Sequence, residues 1–151
     1  MQKGNYGKLA LSLGISFLIM YLVMFLNMDS AGHFYISLTR TYMALLMVAP
    51  MALLMLLLMR KMYPDRKKNT IISVTGVTVF ILALILLRTQ VPIGDRQYMK
   101  AMIPHHSSAI LTSQNADIQD PEVKELARQI IESQEKEIAQ MKAILQRMEQ
   151  E

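Results

Sequence analysis

Three long stretches without a charged side chain constrain this chain more than anything else in it. They run from Leu9 to Leu26, from about Thr41 to Met59, and from Ile71 to Leu87. Each falls in the range of roughly 17–25 apolar residues that crosses a bilayer as a helix. A helix satisfies its own backbone in hydrocarbon and a lone strand does not, so the Ile, Val and Thr of the third stretch are no obstacle to a helical span. Pro50 removes one backbone donor from the second and is expected to kink it, which neighbouring helices in a membrane tolerate. A secretory signal peptide is the rival reading of the first stretch. The stretch is longer than a usual signal core, and no small-x-small cleavage site follows it, so a retained helix is expected.

Charge placement orients the spans. The 60–70 loop holds five basic residues and one acid, whereas the 27–40 connection holds only Arg40 among bases. Basic residues near span ends stay in the cytoplasm. Lys3 and Lys8 then lie inside with the 60–70 loop, the 27–40 connection lies outside, and three crossings leave everything after residue 90 extracytoplasmic. The net charge of +4 is concentrated in one loop, so it reports on topology and no nucleic-acid partner is expected. Without cysteine there is neither a disulfide framework nor a thiolate metal site. Methionine is the outlier, with 14 residues; it packs adaptably, and its thioether also suits Cu(I).

Residues 94–151 read as a helical hairpin, distinct from the membrane region of residues 1–90. Asp95 is a plausible N-cap for a helix over 96–116. Asp120-Pro121-Glu122 opens a second helix, over 121–148, with Asp as cap, Pro at the first helical position and Glu where the dipole favours an anion. The short connection makes the pair antiparallel. Each helix carries a seam at 3-4 spacing, apolar apart from a few polar residues, chiefly His106 and Gln134. The first runs through Met99, Met102, His106, Ala109, Ser113 and Ala116, and the second through Ala127, Ile131, Gln134, Ile138, Met141, Leu145 and Met148. Folding about residues 117–120 sets His106 opposite Ile131, Met102 near Gln134, and Met99 near Ile138 and Met141. Two helices alone bury little, so two hairpins are expected to pair as a four-helix bundle in a dimer, unless the membrane helices supply the cover.

The chemistry concentrates in Met99-Lys-Ala-Met-Ile-Pro-His-His106. His105 and His106 lie about 100° apart on a helix, and Pro104 cannot bond the carbonyl of Lys100. Met99, Met102 and His106 share one face at spacings of three and four, so a mixed sulfur–nitrogen site for a soft ion is one reading. The other is that His106 is a hydrogen-bonded core residue facing Gln134, while the methionines simply pack. Glu137 lies beside the second seam, and Glu132 and Glu135 read as solvated. No Glu-x-x-His pair supports di-iron chemistry, and Ser107 and Ser108 have no acid placed to orient a base, so no enzyme is expected. Met43, Met47, Met51, Met55 and Met59 form a stripe, as do Met20, Met24 and Met28; packing is the favoured reading of both. Met28 and His33 fall on the same side of the membrane as the hairpin, where they can join its site.

The Met102-Ile-Pro-His-His-Ser-Ser-Ala109 segment, the Asp120-Pro121-Glu122 start, and Ile130 with Gln134, Glu137, Ile138 and Met141 together resemble a bacterial family catalogued as domain of unknown function 305. The resemblance covers roughly residues 94–148 and not the membrane spans, although some members carry membrane segments. It implies a ferritin-like, all-α helical bundle in a bacterial inner-membrane protein. Some secreted members are associated with copper through Met and His. Carried over, that points to Met99, Met102, His105, His106 and Met141 as ligands for Cu(I), with Gln134 and Glu137 behind them. Many members hold two hairpins and this chain holds one, which again implies a homodimer. It lacks the Met/His-rich tails of copper-handling members, which sets it apart from high-capacity storage. Two functions therefore stand: Cu(I) tolerance or handoff to a metal-carrying protein, or dimerisation and partner binding with His106 and Gln134 as a polar pair fixing register.

Overall fold

A computed structural model describes residues 5–150. Every regular element among them is helical: α1 (Tyr6–Val23), α2 (Leu38–Leu58), α3 (Arg66–Thr89), α4 (Asp95–Asn115) and α5 (Pro121–Gln150), with short 3-10 turns at Ala31–His33 and Arg60–Met62. The chain divides into two compact units. One comprises the chain up to Val23 with Thr39–Pro92; the other comprises Met24–Leu38 with the chain from Ile93 onward.

The first unit holds α1, α2 and α3, all long and apolar enough to cross a membrane. Their large apolar side chains mostly point away from the unit, with Leu58 77% and Val74 61% exposed. Small residues are buried among the helices, namely Ala44, Ala49, Ala52, Gly76 and Ala83, beside a cluster of Leu9, Leu56 and Tyr63. A Cβ on Gly76 would lie 3.5 Å from the Ala49 carbonyl, so α2 and α3 approach closely there. This is how apolar helices associate where lipid removes the hydrophobic drive between them. Helix α2 continues through Pro50. Asp65 caps α3, accepting the Lys68 N–H at 3.1 Å. The Met20, Met24, Met28 stripe does not form on one helix, because α1 ends at Val23. Lys3, counted above with the cytoplasmic charges, lies outside the described residues.

In the second unit α4 and α5 form an antiparallel hairpin. The Asp120 carboxylate accepts the N–H groups of Glu122 and Val123 at 2.9 and 3.0 Å, and Pro121 takes the first helical position. At the start of α4 the cap is Gly94, and Asp95 falls in the first turn. The core comprises Met99, Ile103, Ile110, Ile138 and Leu145, with Ile131, Met141, Ile144 and Met148 against it. On α4 this differs from the expected seam. Ile103 and Ile110 are 0% and 1% exposed, whereas Met102 and Ala109 are only half-buried and Ala116 is exposed. The bulky isoleucines bury more apolar surface than the Met/Ala/Ser row, and the helix rotates to favour them. Tyr35, from the segment between α1 and α2, packs on the same core. Part of the missing cover thus comes from a loop.

Candidate functional site

Two polar devices interrupt the hairpin core, at consecutive residues of α4 that point about 100° apart. The first is His106, 8% exposed. Its Nδ1 lies 2.9 Å from the Met102 carbonyl, one turn back on the same helix. A carbonyl only accepts, so Nδ1 carries a hydrogen and donates. Its Nε2 lies 2.6 Å from Glu137 Oε2 on α5, and the Ser133 hydroxyl donates to Glu137 Oε1 at 2.7 Å. The Ser133 hydrogen bond, then the one from His106, hold the Glu137 carboxyl below its usual range against a smaller opposing effect of burial. Both nitrogens of His106 are therefore committed within the hairpin.

The partner of His106 is Glu137, six residues beyond the expected Ile131, and Gln134 is half-buried outside the pair. The physical reason is length. Helix α5 has 30 residues and α4 has 21, so α5 overshoots at the loop end. Register is fixed at the opposite end, where Arg96 donates to the Met148 carbonyl.

The five residues suggested as ligands do not converge. Met99 is 6% exposed within the apolar core, and Met141 packs on the same core. His106 has no free nitrogen. Met102 is half-buried and His105 exposed, with the two histidine rings 6.1 Å apart and edge to face. His105 lies three residues beyond Met102 on the helix, a spacing that makes the two neighbours on its surface. Among the described residues, no group of three or more His, Cys, Asp or Glu side chains gathers where it could hold a metal ion. Met102 and His105 remain as a two-donor pair, one thioether and one imidazole, whose chemistry fits a soft ion.

The second device is Ser107, 0% exposed. Its Oγ accepts the Asp29 N–H at 2.9 Å and lies 2.8 Å from His33 Nδ1. Alongside it, Asn27 Nδ2 donates to Ser108 Oγ at 2.5 Å, and the Leu38 N–H donates to Gln97 Oε1 at 3.0 Å. Residues 24–38 are thus strapped along α4. Burial, and then the Lys142 ammonium, lower the His33 pKa below its ordinary value, with Asp29 opposing. A serine beside a histidine has the look of a nucleophile and base. With no exposure and an N–H already on its oxygen, this hydroxyl cannot meet a substrate, and it acts as a peg. The motif-based reading missed this role. The available signal was a pair of serines following Pro-His-His on an apolar helix, together with a polar loop expected on the same side of the membrane.

The family model described as Domain of unknown function (DUF305) matches residues 84–151, from the last part of α3 through α5. The chain is also 38% identical over 144 residues to an uncharacterised protein of Acanthamoeba polyphaga mimivirus, covering 93% of each chain, so that likeness includes the apolar helices. No solved structure matches the chain.

Proposed function

This chain belongs to the DUF305 family, and from that premise we propose that it is a non-enzymatic inner-membrane protein whose hairpin captures a soft metal ion, most simply Cu(I), outside the cytoplasm. The five basic residues of the 60–70 loop favour placing that loop and the N-terminus in the cytoplasm. The strap and hairpin then lie on the far face. Met102 and His105 are the donors in this reading. The observation that carries it is the exposed His105 imidazole, which has no hydrogen-bond partner among the described residues, one turn from the Met102 thioether. His106 and Glu137 position the pair rather than bind, and Met99 and Met141 belong to packing. A second copy of the hairpin, paired as a ferritin-like four-helix bundle, supplies further donors, and a metal-carrying protein takes the ion onward.

The test is a Cu(I) titration of the full-length protein in detergent against a competing chromophoric chelator. The M102L/H105A double variant is expected to bind at least roughly tenfold more weakly, the loss of about 1.4 kcal/mol. Equal binding by variant and wild type ends the metal reading. A second reading is partner binding through a hairpin of fixed register, and the 2.6 Å His106–Glu137 bond favours it. There, His106→Ala lowers helix stability and partner capture while M102L/H105A changes neither.

A further inference from the structure

The loop between α2 and α3 carries charge that the hairpin reading does not use. We propose that the cleft beside Arg60 and Arg66 binds the phosphate of an anionic glycerophospholipid. The cleft has a volume of about 460 Å³, within the roughly 300–1,000 Å³ of typical ligand sites. Its lining is divided. Arg60, Arg66, Asn69 and Ser73 are polar, while Leu53 and Leu57 are apolar, and Leu57 is 54% exposed. A phosphate with acyl chains matches both halves; a free anion matches only one.

The basic side chains of this loop are not equivalent. Lys68 pairs with Asp65 at 3.6 Å and lies 5.2 Å above the Tyr6 ring. Arg60 and Arg66 have no ion-pair partner among the described residues, and they are the two that face the cleft. A planar guanidinium recognises phosphate through paired N–H donors. The wall behind them is held in place. The Tyr6 hydroxyl donates to Asn69 Oδ1 at 2.8 Å and accepts the Asp65 N–H at 3.0 Å, while Asn69 Nδ2 donates to the Tyr63 carbonyl at 2.8 Å. The arginines therefore sit on an ordered loop, at the ends of two helices long and apolar enough to cross a membrane. That is the depth at which lipid headgroups lie.

The inference rests on α2 and α3 crossing a bilayer, and the experiment separates the two claims. Full-length protein is purified in detergent, and retention of phosphatidylglycerol against phosphatidylcholine is measured by native mass spectrometry, with inorganic phosphate as competitor. R60Q/R66Q is compared with K61Q/K67Q, which removes equal charge outside the cleft. Wild type and K61Q/K67Q are expected to retain phosphatidylglycerol selectively, and R60Q/R66Q to lose roughly thirtyfold in retention. Ser73→Trp, which fills the cleft and keeps every charge, is expected to lose it as well, so the outcome survives a folding failure in either variant. Equal loss in both double variants, no loss in R60Q/R66Q or Ser73→Trp, or displacement by inorganic phosphate at lipid concentrations overturns the proposal. Carbonate extraction of membranes tests the premise. A carbonate-resistant chain without selectivity overturns the lipid site alone, and a chain released by carbonate overturns the membrane reading beneath it.

Discussion

Replacing Ser107 by Ala tests whether residues 24–38 are held to the hairpin by one hydroxyl. Ser107 has no exposed surface, and its oxygen meets both the Asp29 N–H and His33 Nδ1. Removing it deletes two hydrogen bonds and leaves a backbone donor facing a methyl group. Leaving a buried donor unsatisfied costs about 1–3 kcal/mol. Water relieves part of that cost, because Asp29 is itself exposed. The Asn27–Ser108 and Leu38–Gln97 bonds remain, so the strap opens locally while α4 and α5 stay paired. At about 1.4 kcal/mol per factor of ten, amide protection at Asp29 and its neighbours should fall roughly 5- to 150-fold. Protection across Ile103–Ile110 and Ile138–Leu145 should hold. Hydrogen exchange read by mass spectrometry on 24–38 peptides measures both regions in one experiment. Unchanged exchange in 24–38 would refute the strap. Equal loss across strap and hairpin would show that Ser107 supports the core generally and does not hold the loop.

The same strap should weaken in acid. The folded-state pKa of His33 lies below its ordinary 6.5 through burial and Lys142, so the unfolded chain takes up the proton first. Its contribution is fully present above pH 6.5 and is lost as pH falls from there through the folded value, which peptide exchange measured between pH 7 and pH 5 and corrected for intrinsic rate would detect. Lys142→Ala should move that loss to lower amplitude by raising the His33 pKa. Ile103→Ala removes a side chain with no exposed surface from the hairpin core and should destabilise it by about 2–5 kcal/mol, seen as a lower thermal midpoint by circular dichroism.

How much of this was legible beforehand follows from the range of the forces involved. The three apolar spans and the two amphipathic helices are local patterns, and helices at 6–23, 38–58, 66–89, 95–115 and 121–150 follow them. Their edges moved where local signals competed. Gly94 takes the cap position expected of Asp95, and α1 stops at Val23 before the apolar run ends. The α4 seam was harder to read, because two overlapping rows, Met102/Ala109 and Ile103/Ile110, both have helical spacing. Spacing does not choose between them, whereas the larger buried area of isoleucine does.

An all-helical chain, three helices able to cross a membrane, and a hairpin with polar residues set into its apolar face all follow from local residue pattern. Each of these depends on residues within a few turns of one another. Long-range packing, by contrast, sets the bond between His106 and Glu137, leaves His105 in solvent, and brings Ser107 to a loop from 78 residues earlier in the chain. Those outcomes depend on register between helices of unequal length and on where a distant segment lands. Neither is written in any local period, because a hydrogen bond is formed by whichever partner the packing of the isoleucine core brings within 3 Å.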